Sequence, residues 1–204
     1  VAAVHYTPGD ILLVNDYSGQ GDLLGNLIRA GERARYGNSD YARWTHSAMV
    51  VSKTGDLVEA LENGIERTHI AKYAHHQTLV VSPPIAPRDP RRAYAVRFAE
   101  AQQGTRYDIL DFVALAFSLL TALKVSVHAD SRFICSGLCS RATESYTDHG
   151  YPYPPEAMLP ADLGDHWQAL SGTALPPLSV MGRLLDRFRS VVWALSPFRA
   201  GLRP

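Results

Sequence analysis

The sequence predicts an α+β fold, an antiparallel sheet packed against helices, and two observations carry that expectation. One is a pair of short strand-like runs, HSAMVVS and LVEAL, joined by the turn-like Lys53-Thr54-Gly55-Asp56. The other is a set of helix-period stretches that stand apart from those runs, at 22–36, 93–103 and beyond.

The elements follow in order. Asp10 to Val14, with its ILLV run, reads as a strand, and Asp22 to Tyr36 as a helix of the pattern LLGNLIRAGERARY. In HSAMVVS, period two puts His46, Ala48 and Val50 on one face and Ser47, Met49 and Val51 on the other. LVEAL is the next strand and carries Glu59 among apolar neighbours; Thr78 to Ser82 is another. Pro83 to Pro90 reads as an extended connection and Ala93 to Gln103 as a helix with Val96, Ala99 and Gln103 along one side. Ile109 to Leu123 is the longest apolar stretch. It contains Asp111 and stops short of the roughly 20 residues that cross a bilayer, so it reads as a buried helix. A helix starts at Cys135, and a Pro-rich loop runs from Tyr151 to Pro160.

The last segment differs in character. From Met181 to Leu195, Leu184, Leu185, Phe188, Val191, Val192 and Leu195 recur at helical spacing, with Arg183, Arg187 and Arg189 beside them. That pattern suits a helix covering the core, a helix docking on a partner protein, or one lying on a membrane. The expected organisation is a catalytic domain over 1–178 and an amphipathic extension over 179–204.

Composition narrows the partners. Twenty basic against twenty acidic side chains leave no net charge, so no nucleic-acid partner is expected. The first residues lack a basic n-region before an apolar h-region, so no signal peptide is read; a cytoplasmic or an envelope- or virion-associated location remains open. Two cysteines, Cys135 and Cys139, make no disulfide framework. His69, His75 and His76 have no Cys or carboxylate at a familiar zinc spacing, so neither a metal nor another cofactor is expected.

The chemistry concentrates in Arg132 to Arg141, RFICSGLCSR. A thiol at a helix N-terminus meets unpaired N–H groups and the positive end of the helix dipole, which favour a thiolate. Cys135 is therefore the candidate nucleophile, and Cys139, one helical turn on, reads as a small packed hydrophobe. A thiolate needs a base. Among the eight histidines, His46 stands on an ordered strand, whereas His75, His76, His149 and His166 fall in polar or turn-rich stretches. Glu59 is placed to accept the second imidazole N–H and fix the tautomer. Register decides this: a two-residue loop at Thr54-Gly55 would set His46 opposite Asn63 and make Asn63 the rival orienter, while a longer loop brings Glu59 diagonally near His46.

At these residues the chain resembles the NlpC-like branch of papain-fold cysteine peptidases and amidases. Gly104-Thr105-Arg106-Tyr107 stands for the GTPY segment, and Ile134-Cys135-Ser136-Gly137-Leu138-Cys139 for DCSGLV. Ile134 replaces the usual acidic residue and Cys139 the usual hydrophobe. The histidine precedes the cysteine, the order of the circularly permuted YiiX-like and YaeF-like subgroup. That subgroup's pattern is also matched by Pro8-Gly9-Asp10, Val58-Glu59-Ala60 and Pro160-Ala161-Asp162-Leu163. The resemblance implies a permuted papain-like fold and a hydrolase with catalytic Cys135, His46 and Glu59, with Tyr107 and Ser136 lining the substrate cleft. Its implied substrate is an amide or peptide bond, in bacterial relatives often in cell-wall peptide. Two other readings stand beside it: a lipid acyltransferase or deacylase of the lecithin-retinol-acyltransferase-like type, and a structural component of a phage tail or envelope complex.

Overall fold

A computed structural model of the chain describes residues 6–15, 23–36, 43–61, 63–105, 134–147 and 150–170. Its strands β1 (Ile11–Asn15), β2 (His46–Val50), β3 (Asp56–Leu61), β4 (Gly64–His69) and β5 (Gln77–Val81) make one antiparallel sheet in the order β4-β3-β2-β1-β5. Its helices are α1 (Leu23–Tyr36), α2 (Pro90–Ala101), α3 (Cys135–Ala142) and α4 (Pro160–Leu170). The architecture is α+β. No helix among the described residues is long and apolar enough to cross a membrane. The expected apolar helix over Ile109 to Leu123 and the extension over 179–204 lie outside the described residues.

The centre of the sheet is apolar on both faces because β1, ILLVN, is buried along its whole length. Ile11 and Leu13 point into the main core with Met49, Val58 and the helices, whereas Leu12 and Val14 join Ala48, Val50, Leu57 and Tyr73 on the opposite face. The two faces predicted for HSAMVVS are those observed. Met49 and Val51 belong to the helix-covered core, and Ala48 and Val50 to the smaller cluster beneath.

The β2–β3 turn sets the register that the site depends on. Val51 N–H donates to Asp56 O at 2.8 Å, and Val50 pairs with Leu57 and Met49 with Val58. Four residues, Ser52 to Gly55, therefore form the loop instead of two. Ser52 explains the lengthening, because its Oγ accepts the Asp56 N–H at 2.9 Å and closes a wider turn. Gly55 takes φ +100, and a Cβ there would lie 2.6 Å from Ile70 Cγ2, so both conformation and space require glycine. With this register Glu59 comes diagonally beside His46, and Asn63 sits exposed in the β3–β4 turn.

Three elements depart from the sequence expectation. β4 was not expected, because Glu66, Arg67 and His69 are exposed and only Gly64 and Ile65 are buried; it is an edge strand whose charges suit its position. α2 begins at Pro90, inside the segment expected to be extended. Asp89 caps it by accepting Arg91 N–H at 2.9 Å, and Pro90 loses no hydrogen bond at the first helical position. Pro160, expected to end the Pro-rich loop, instead opens a helix, α4, that takes in the polar GDHWQ.

α4 is held by α1. Ala161 N–H donates to Glu32 Oε1 at 3.0 Å, Tyr36 OH to Asp162 Oδ1 at 2.6 Å, and Arg35 pairs with the Asp162 carboxylate. Asp162 also accepts Leu159 N–H at 2.7 Å, capping the helix it belongs to. Burial, with the nearby charges of Asp162 and Cys135, holds the Glu32 carboxyl well above its usual range despite the Ala161 N–H and the nearby Arg35. Arg92 of α2 donates to Asp10 Oδ1 at 2.8 Å and ties α2 to the start of β1.

Candidate active site

α3 is short and buried from Cys135 through Ser140. Gly137 lets it approach the turn Pro155–Ala157: a Cβ there would sit 3.0 Å from Pro155 O. Its N-cap, Ile134, supplies no side-chain acceptor, so the first N–H groups of the helix are left to other partners. The sulfur of Cys135, at the first helical position, takes the N–H of Ser136 and that of Ser47 on β2.

His46 opens β2 and hydrogen-bonds on both sides. Its Nε2 is 2.7 Å from Glu59 Oε2, which leaves Nδ1 for the Cys135 thiol, the ring's other partner. Burial opposes a charged ring, yet the bonds to Cys135 and Glu59 outweigh it and push His46 up to about 10. Burial likewise opposes a thiolate at Cys135, but the His46 hydrogen bond and charge, with the two backbone N–H groups, hold its pKa below the ordinary thiol value. Both shifts favour a thiolate–imidazolium pair.

Glu59 is fully buried on β3 and has four side-chain partners. Oε2 accepts from His46 and from Tyr73 OH; Oε1 accepts from Lys72 Nζ at 2.6 Å and from Thr68 Oγ1. Burial would raise its pKa, but bonding and charge from His46, then the bonds from Lys72 and Thr68, hold it far below the usual carboxylate range. Glu59 is thus a permanent anion at the back of the imidazole. Lys72 and Tyr73 come from the 3-10 turn Ile70–Tyr73, whose N-cap is His69: Nδ1 accepts Ala71 N–H, and Nε2 lies 3.0 Å from Thr54 O. The Tyr73 ring also lies against that of His46, with centroids 6.1 Å apart.

The structure thus brings together Cys135, His46 and Glu59, three residues from α3, β2 and β3. It leaves Asn63 out in the turn. The Ser136 hydroxyl is committed to Met158 O at 2.6 Å, so the group Ser136 turns toward the thiol is its backbone N–H. Tyr107 lies outside the described residues. Cys139 is fully buried, and burial pushes its thiol well up. No metal-binding cluster of His, Cys, Asp or Glu occurs among the described residues.

Thr68, Lys72 and Tyr73 were missed from sequence. Their only local signal was β-like alternation in IERTHI, weak because its residues are mostly charged. Lys72 and Tyr73 follow an irregular turn, so no period links them to Glu59. Compared with known proteins, the chain matches no family model, and no curated protein is significantly similar to it.

Proposed function

We propose that the protein is a cysteine-dependent hydrolase that cleaves an amide or peptide bond, with cell-wall peptide as the substrate class. The observation that carries this reading is the hydrogen-bonded series Cys135, His46 and Glu59, in which the thiol is lowered and the imidazole raised. A structural cysteine shows the opposite pattern, as Cys139 does. A strand histidine and a strand carboxylate that precede a helix-borne cysteine support a circularly permuted papain-like fold.

The chemistry follows from the geometry. The Cys135 thiolate attacks the substrate carbonyl carbon, and the carbonyl oxygen becomes an oxyanion that the Cys135 backbone N–H stabilises at the start of α3. His46 Nδ1 gives its proton to the leaving amine, the C–N bond breaks, and a thioester remains on Cys135. Water then attacks the thioester while His46 takes its proton. The tetrahedral adduct releases the carboxylic acid and restores the thiolate. Glu59 keeps Nε2 protonated and the ring oriented throughout.

The test is to incubate purified protein with muropeptides and, separately, with phospholipid, and to identify products by mass spectrometry. Peptide cleavage that Cys135→Ala abolishes is the expected result. Fatty-acid release would transfer the same thiolate to lipid deacylation, and inertness toward both would favour a scaffold role.

A further inference from the structure

Glu59 serves two cations. On one side Nε2 of His46 meets Oε2 at 2.7 Å; on the other Nζ of Lys72 meets Oε1 at 2.6 Å. We propose that Lys72 is a positioning residue that shares Glu59 with His46 and thereby limits how strongly His46 holds its proton. This rests on the reading of His46 as the proton donor of a hydrolase.

The geometry gives Lys72 little freedom. It stands on the 3-10 turn that His69 caps, its ammonium lies 4.9 Å from the centroid of the Tyr73 ring, and Tyr73 itself donates to the oxygen that His46 uses. The ammonium is therefore held by a carboxylate and an aromatic face together. Its side chain is 38% exposed and so reaches water, while Glu59 is fully buried.

A buried carboxylate facing His46 alone would stabilise the imidazolium to the full extent of its charge. A second cation on the same carboxylate repels the imidazolium and offsets part of that stabilisation. The consequence is chemical. A general acid works best when its pKa is not far above the working pH, and the bonds to Cys135 and Glu59 already push His46 up to about 10. Lys72 adds to burial in opposing this rise. The other titratable groups around His46 are Cys135, with Cys139 behind it on α3, Glu59 on β3 and Tyr73, whose ring also meets His76; β1 contributes the apolar Val14 opposite His46. Among these described groups Lys72 is the one cation on Glu59 besides His46 itself.

The experiment is a pH titration of the His46 ring by NMR in the full chain, with His46→Gln to assign the signal. Lys72→Met and Lys72→Gln remove the charge, and Gln keeps a donor for Glu59; Lys72→Arg keeps the charge. The expected result is an upward shift of the His46 titration by roughly 0.2–0.7 pH unit in both neutral variants and no shift in Lys72→Arg. An unmoved or lowered titration in the neutral variants, or the same shift in Lys72→Arg, overturns the proposal. Because the ring is observed directly, this outcome is separate from catalysis. The hydrolase reading fails on its own terms if Cys135 reacts with iodoacetamide no faster than an ordinary thiol and no amide substrate is cleaved.

Discussion

At the scale of residues, two cysteines one helical turn apart have thiols shifted in opposite directions, and the difference is their partners. Cys135 receives two N–H groups and the His46 ring, and Cys139 is enclosed by the core. Iodoacetamide at neutral pH should label Cys135 preferentially. Cys135→Ala should abolish turnover while Cys139→Ala retains most of it, as mass spectrometry of the labelled chain and a turnover assay will show. Glu59→Gln keeps the shape but removes the anion behind His46, and a rate loss on the order of 10⁴ is expected. Asn63→Ala, in an exposed turn, should do little. The pH profile of kcat/KM should be bell-shaped. Its acid limb lies below the ordinary thiol range and its alkaline limb near the value of about 10 that governs His46. Stability follows the same groups with opposite signs. His46, raised in the fold, stabilises fully below its ordinary value and loses that contribution as pH climbs through about 10. Glu59, lowered, stabilises fully above its ordinary value and loses that contribution only as pH falls through its depressed one. Urea unfolding from pH 5 to 11 should therefore show wild type losing its advantage over His46→Gln on the alkaline side.

At the scale of elements, the site is assembled by a turn and a helix contact. The four-residue β2–β3 loop brings Glu59 diagonally beside His46, and Gly137 lets α3 settle against the Pro155 turn. The α1–α4 clamp centres on Asp162, with Glu32 holding the Ala161 N–H beside it. Asp162→Ala removes the anion opposite buried Arg35 and the cap of Leu159 N–H, so a loss of about 3–5 kcal/mol is expected in denaturant unfolding. A loss below about 1 kcal/mol would mean that the clamp is stabilised by apolar contact instead. Sequence patterning reached β1, β3 and β5 through their short apolar runs and α1 and β2 through their periods. It missed β4, whose charged residues mask its alternation, and α4, whose proline was read as ending a loop instead of opening a helix.

At the scale of the whole molecule, Cys135, His46 and Glu59 all precede the apolar and arginine pattern that starts at Met181. A chain ended at Leu178 is expected to fold, to hydrolyse a small soluble amide and to lose vesicle or partner binding. A collapse of its unfolding midpoint would instead assign the apolar residues after Met181 to the core. The pieces of the site were determined by sequence alone: a thiol at a helix start, a histidine on an alternating strand, a carboxylate among apolar neighbours. Each carries a local physical signature. Tertiary structure decided which pieces meet. Only the register of a wider turn chose Glu59 over Asn63, only packing of α3 against β2 delivered the Ser47 N–H to sulfur, and only the fold of the His69-capped turn placed Lys72 and Tyr73 on Glu59. The reason is that periodicity specifies which face a side chain takes, whereas hydrogen bonds between residues far apart in sequence depend on loop length and close packing, to which no local period corresponds.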